Sequence, residues 1–235
     1  LQEAEDEAAR IFAGSAKLSL QVAHPFDRYV FIEKSRKRMR ELKSIQNEYP
    51  HMAMEFLADD ANRAIPELCR AVDWRKNRAV FFLDPYGMTV DWKTMEAIAG
   101  TEAIDVWMLF PVGIGVNRLL KQRLADIPAS WRTKLDRIFG TPEWQNAFYK
   151  ACPHRTLFDD PESGVQKISD PIQAITKFYQ GRLETIFPKV AKNPRYLCNR
   201  RESPMFLLTF AVASRYKPAQ DLAMKLAQHI LKRTA

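Results

Sequence analysis

From Arg28 onward the chain alternates short apolar runs with longer stretches in which apolar residues recur every three or four positions. Tyr29-Val30-Phe31-Ile32 is a compact strand signal ending on Glu33; Lys34 to Asn47 then carries Met39, Leu42 and Ile45 at helical spacing and closes at Tyr49-Pro50. The pattern repeats. Met52 to Leu57 reads as a strand ending in Asp59-Asp60, followed by a helix with Ile65, Leu68, Cys69 and Val72, where Pro66 suits only the first turn. Ala79 to Leu83 is an unbroken apolar run stopped by Asp84-Pro85-Tyr86-Gly87, the signature of a fully buried strand delivering a carboxylate to a sheet rim. Next come a helix from Trp92 to Ala99, with Asp91 as N-cap and Gly100 as stop, and a strand from Ile104 to Phe110. A helix through Val116, Leu119, Leu120 and Leu124 completes the fourth unit.

Strands alternating with helices imply right-handed crossovers and a parallel sheet covered on both faces. Such sheets bind ligands beyond the carboxyl ends of their strands, where Glu33, Asp59, Asp60 and Asp84 all fall. Residues 126–190 break the rhythm. Leu135, Ile138 and Phe139 with Trp131 make one helical face, Thr141-Pro142 starts a second helix through Trp144, Phe148 and Tyr149, and residues 152–169 read as a loop. Asp170-Pro171 opens a long helix. Arg195 to Asn199 and Met205 to Ala213 are two strands separated by a polar turn, too close for a parallel crossover and so an antiparallel hairpin. Pro218 begins a last helix expected to turn Leu222, Leu226, Ile230 and Leu231 inward. The expected fold is therefore α/β: a Rossmann-like, mostly parallel core of residues 1–125 and 191–235 ending in an antiparallel hairpin, with a helical insertion at 126–190.

Composition adds bounds. Over 235 residues, 46% hydrophobic and 27% charged, the chain has ample material for an interior. No window approaches a membrane span and the opening residues are acidic, so a cytoplasmic protein without a membrane partner is expected. Cys69, Cys152 and Cys198 are far apart and odd in number, and the histidines lack metal-site pairing. Cys152-Pro153-His154 is too tightly spaced for a nucleophile and its base. The net charge of +8 favours an anionic partner such as nucleic acid. Candidate contacts are Lys34, Arg36, Lys37, Arg38 and Arg40, then Arg118, Lys121 and Arg123, then Arg200 and Arg201; solvated helix faces explain the same residues. Trp131, Trp144, Phe148 and Tyr149 have the spacing of core residues, with base stacking as the alternative.

A parallel sheet finished by a hairpin, with acids ending successive strands, resembles the class I S-adenosylmethionine-dependent methyltransferases. The resemblance implies that Glu33 holds the ribose hydroxyls of S-adenosylmethionine and that Asp60, with Asn62 nearby, contacts the adenine amine. Asp59-Asp60 also reads simply as a helix cap. Asp84-Pro85-Tyr86-Gly87 resembles the family's (Asp/Asn/Ser)-Pro-Pro-(Tyr/Phe) motif without its second proline. By that likeness Asp84 and Pro85 would accept hydrogen bonds from an amine and Tyr86 would stack on a base; a β-turn is the other reading.

Asp27 to Glu33, Asp60-Ala61-Asn62, Phe82 to Met88, Leu109 to Arg118 and Phe139 to Trp144 together resemble the three-Cys-motif partner proteins over nearly the whole chain. That family has a methyltransferase-like fold and is named for a separate, cysteine-bearing partner protein; the cysteines of this chain are not that motif. Methyltransferases of this class open with a strand and a Gly-rich loop, and neither precedes Gly14-Ser15. Gly113-Ile114-Gly115 is a weak substitute. The expectation is thus either a sequence lacking that first strand and loop or a protein without the cofactor pocket. Two readings compete with methyl transfer: a non-catalytic module serving the cysteine-rich partner, favoured by exposed apolar residues at 126–190, and nucleic-acid binding without catalysis.

Overall fold

The computed structural model describes residues 14–84, 90–151 and 165–232. Pro85 and Tyr86, two of the three residues expected at the acceptor site, lie outside these, as do Cys152 and His154. The chain divides into two compact units, Leu1–Glu67 and Leu68–Ala235.

In the first unit, helical residues 14–20 (α1) precede β1 (Tyr29–Ile32), α2 (Arg36–Glu48) and β2 (Met54–Leu57). β1 and β2 are parallel, with Tyr29 opposite Met54 and Ile32 opposite Leu57. That is the pairing a strand-helix-strand unit dictates. Met39, Leu42 and Ile45, the helical stripe of the sequence, are buried, and Leu42 and Ile45 join Ala16, Leu20 and Tyr29 in one cluster. α3 (Ala61–Ala71) spans the boundary between the units and holds Pro66 in its interior, not in its first turn. Proline has no N–H for the carbonyl four residues back, so this helix lacks one internal bond just before the boundary.

The second unit carries β3 (Ala79–Leu83), α4 (Trp92–Ala99), β4 (Ile104–Phe110), α5 (Ala129–Phe139), α6 (Trp144–Phe148), β5 (Tyr149–Ala151), β6 (Val165–Lys167), α7 (Pro171–Glu184), β7 (Lys189–Val190), β8 (Arg195–Cys198), β9 (Pro204–Val212) and α8 (Lys217–Lys232). β3 and β4 are parallel, whereas β9 runs antiparallel to β4 on one edge and to β7 and β8 on the other. The hairpin expected from the polar turn is present as β8–β9, and the sheet is mixed. Part of the segment read as a loop is β6, which pairs antiparallel with β5.

Strand register sorts the side chains of this sheet. Phe110, Met108 and Val106 share one face with Leu207, Thr209 and Ala211, and Phe110 stacks on Tyr179 of α7 with ring centroids 3.7 Å apart. Phe139, Phe148 and Phe178 extend that aromatic layer edge to face. Trp144, Phe148 and Tyr149 are core residues as expected, although Tyr149 opens β5 rather than continuing the helix, whereas Trp131 is half-buried with Lys121 over its ring. α5 ends at Gly140, whose positive φ of 68° brings its α-carbon against the Trp92 ring, where a Cβ would collide. Arg182 of α7 covers the same ring at 4.6 Å and donates to the Phe139 carbonyl, capping α5.

The opposite face carries Trp107, Leu208, Phe210 and Val212, covered by Met224, Ala227 and Leu231 of α8. Leu222, Leu226 and Ile230, expected inward, are exposed instead, while Leu231 is buried as expected. β3 departs similarly. Its apolar run predicts burial on both faces, yet Val80 and Phe82 are exposed and only Leu83 is fully buried. Among the described residues β3 has β4 as its one strand neighbour, so it has the environment of an edge strand.

After β4 the expected α-helix is a π-helix over Val112–Asn117, with the Val116 N–H donating to the carbonyl of Pro111 five residues back at 3.0 Å. Gly113 has no room for a Cβ because the Pro204 carbonyl at the start of β9 sits against it. Lys167 fastens the far end of this turn, donating to Asn117 Oδ1 at 2.6 Å and to the Asn117 and Leu120 carbonyls at 3.3 Å each.

Candidate functional site

The carboxyl ends of β1 and β2 form one rim. There the Glu33 N–H donates to the Leu57 carbonyl, which extends the ladder by one residue and fixes where the Glu33 side chain starts. Its carboxylate, only 10% exposed, is already engaged. Oε2 accepts from Arg38 Nε at 3.0 Å, and Oε1 accepts from Arg38 Nη2 at 3.3 Å and from the Ser35 N–H at 2.6 Å. The geometry follows from the helix start: Ser35 is the N-cap of α2 and Arg38 lies in its first turn, directly above the end of β1. A forked guanidinium matches a carboxylate face to face and holds it strongly.

Asp60 closes the other half of this rim. Its Oδ1 accepts the Asn62 N–H at 2.9 Å, an N-terminal cap on α3, and its Oδ2 accepts from Lys34 at 3.3 Å. The Asn62 N–H is the main cause, and Lys34 a smaller one, of a carboxyl held below its ordinary range. Asp59 is held low chiefly by its bond from Arg63, at 2.7 Å one helical turn on. The helix-cap reading of Asp59-Asp60 therefore describes what these two side chains do. Lys34 and Arg38, read as part of a basic face, are ion-pair partners of the rim acids. Arg36, Lys37 and Arg40 are solvent-exposed.

In the second unit the rim is built differently. Asp84 follows Leu83, which pairs with Met108, and so stands at the carboxyl end of the parallel β3–β4 pair. Its neighbour β4 runs on to Phe110 and is followed by Pro111 and the π-helix. Asp84 is half-buried, has no hydrogen-bond or ion-pair partner among the described residues, and desolvation raises its carboxyl above the ordinary range. A carboxylate in this state favours any ligand N–H that can reach it.

Sequence reasoning missed three features of these rims. Arg38 is the partner of Glu33, and its signal was a cap residue, Ser35, followed three positions later by a cation. Arg63 pairs with Asp59 at the ordinary i, i+4 spacing. The π-helix had no periodic signal. Of the expected site residues, Glu33, Asp60 and Asn62 come together in the first unit, and Asp84 stands in the second.

Other titratable groups have structural explanations. Burial pushes the Cys69 thiol up to about 11, so it is a poor nucleophile. Burial also pushes the Tyr149 hydroxyl up to about 12 while it donates to the Lys121 carbonyl at 2.8 Å. No helix of the described residues is long and apolar enough to cross a membrane. Comparison of the chain with models of known protein families, with curated proteins and with solved structures finds no match.

Proposed function

We propose that the chain is a methyltransferase-like protein of the three-Cys-motif partner family, with a Rossmann-like core, acting on a nucleic-acid or related acceptor that carries an amine. The observation that supports this reading is Asp84, a desolvated carboxylate without a described partner at the carboxyl end of a parallel strand. In that role it accepts a hydrogen bond from the acceptor amine and turns the nitrogen lone pair toward the incoming methyl group. Pro85 and Tyr86 belong to the same proposal through their likeness to the acceptor motif.

S-adenosylmethionine is the methyl donor this reading requires, with Glu33, Asp60 and Asn62 proposed to hold it. The described side chains fit that task poorly. A carboxylate offers about four acceptor positions. Glu33 already receives two bonds from Arg38 and one from Ser35, so two ribose hydroxyls do not fit unless Arg38 leaves.

Calorimetric titration with S-adenosylmethionine and its demethylated product tests the reading. Binding that weakens in Asp60→Ala and Asn62→Ala but survives Asp84→Ala is the expected result; absence of binding by either compound overturns methyl transfer.

A second reading, a non-catalytic module serving a cysteine-rich partner protein, is favoured by the closed Glu33 carboxylate. Exposed large apolar residues that would support it at 126–190 are absent among the described residues; those that are exposed are Leu18, Val22 and Phe26, Val80 and Phe82 on β3, Tyr196, Tyr216, and Leu222, Leu226 and Ile230 on α8. Copurification of the partner with Asp84→Ala, without methyl transfer by the wild-type chain, would select this reading.

A further inference from the structure

α8 has two apolar faces and uses one. Met224, Ala227 and Leu231 pack against Phe210, Val212 and Ala191. Leu222, Leu226 and Ile230, at i, i+4 and i+8, are 61%, 59% and 47% exposed. At about 100° per residue these three form a continuous stripe bordering the buried face, roughly 12 Å long. Single exposed apolar residues are commonplace, but a two-turn row of large aliphatics is not scattered exposure. The sheet face beneath α8 is also incompletely covered, with Val80 48% and Phe82 51% exposed on β3.

The charge along this helix is predominantly basic. By helical angle Lys225, His229 and Lys232 follow the outer border of the stripe, and a shallow surface depression is lined by Leu222, Leu226, Gln228 and those three residues. Asp221, the one acid between Lys217 and Lys232, falls by helical angle on this same border one turn before Lys225, so the basic character of the border is carried by Lys225 and Lys232.

We propose that this stripe is a docking face for an amphipathic helix of a partner protein whose own apolar row is flanked by Asp and Glu. Two turns of aliphatic side chains match the i, i+4, i+7 anchors of a helix laid along a groove. The lysine border supplies selectivity, attracting an acidic flank and repelling a basic one. A second copy of this chain fits less well, because an antiparallel pair would set lysine border against lysine border. A membrane surface fits less well too, since the side of α8 next to the stripe is committed to the sheet and cannot sink into lipid. The proposal is independent of methyl transfer.

The test uses the whole chain and two labelled synthetic helices with the same leucine row, one flanked by Glu and the other by Lys, read by fluorescence anisotropy. The Glu-flanked helix is expected to bind saturably and the Lys-flanked one not to bind. Leu226→Asp should weaken binding at least ten-fold without lowering the melting temperature, because Leu226 is exposed. Should that variant melt early, Lys225→Glu with Lys232→Glu decides, since it should reverse the preference between the helices. Equal binding of both helices, binding of neither, or binding indifferent to these substitutions overturns the proposal. So does cosedimentation with phosphatidylserine vesicles, or a concentration-dependent dimer, that Leu226→Asp abolishes.

Discussion

The two rims meet the same design problem, a carboxylate at the carboxyl end of a parallel strand, and solve it in opposite ways. In the first unit every rim acid is neutralised locally: Glu33 by Arg38, Asp60 by the Asn62 N–H and Lys34, Asp59 by Arg63. In the second, Asp84 has no such partner among the described residues, and burial raises its carboxyl. Position on a sheet predicts where a carboxylate will be. Its availability to a ligand depends on the helix that follows: α2 and α3 begin immediately after their strands with caps and cations, whereas α4 begins at Trp92, eight residues beyond Asp84.

The largest expected effect sharpens the idea that the second rim is shaped by packing. Gly113→Ala drives a methyl group into the Pro204 carbonyl and should cost about 3 kcal/mol by overpacking. The π-helix that follows β4 would have to shift from β9. Urea unfolding should show the loss; a variant as stable as wild type would mean that this contact does not shape the rim.

Next in size, Glu33→Gln keeps the shape but removes the negative charge facing Arg38, where both side chains are largely buried. The expected cost is roughly 2 kcal/mol in urea unfolding. A neutral or stabilising outcome would show Glu33 to be strained toward a ligand and would erase the contrast between the rims. Asp60→Ala removes a cap and should cost about 1 kcal/mol. Because the Asp60 carboxyl is held low, that contribution is present above the ordinary carboxylate range and fades as pH falls through the folded value. Equal destabilisation of wild type and variant at all pH values would remove the cap from the account.

Much of the fold was legible because local pattern and tertiary environment agree. Met39, Leu42 and Ile45 recur at helical spacing and are buried, and the run from Ile104 to Phe110 alternates buried and half-buried residues as an inner strand. The failures share a cause. Gly113 reads only as part of a weak Gly-rich loop, because its contact with Pro204, ninety-one residues later, leaves no local signal. The periodicity of α8 identifies apolar residues, but only the sheet decides which stripe is covered, so Leu222 and Leu226 were placed inward. Val80 and Phe82 look buried because an apolar run carries no information about how many neighbours its strand has. At the site, the address of each acid was legible and its occupancy was not. Arg38 was counted as surface charge because charge composition does not reveal direction, although a cap at Ser35 already fixed the first turn of α2.

The smallest expected effect has the opposite sign and tests the second rim alone. In strong acid both the folded and unfolded chains hold the Asp84 proton, and the group costs nothing. As pH rises past 3.8, the ordinary value for this side chain, the unfolded chain releases its proton first, because burial keeps the folded carboxyl protonated to higher pH. Stability therefore falls with rising pH until the folded group also ionises, after which the penalty is constant. Asp84→Asn removes the titration and should be more stable than wild type at neutral pH, by up to about 1 kcal/mol, with the gain shrinking to zero in acid. Urea midpoints measured from acid to neutral pH read this directly. A variant less stable than wild type at neutral pH would mean that the ionised carboxylate has a stabilising partner, making Asp84 a structural acid like Glu33. A pH-dependent gain, in contrast, is the signature of a charge kept at a cost to the fold, which is what a group reserved for a ligand requires.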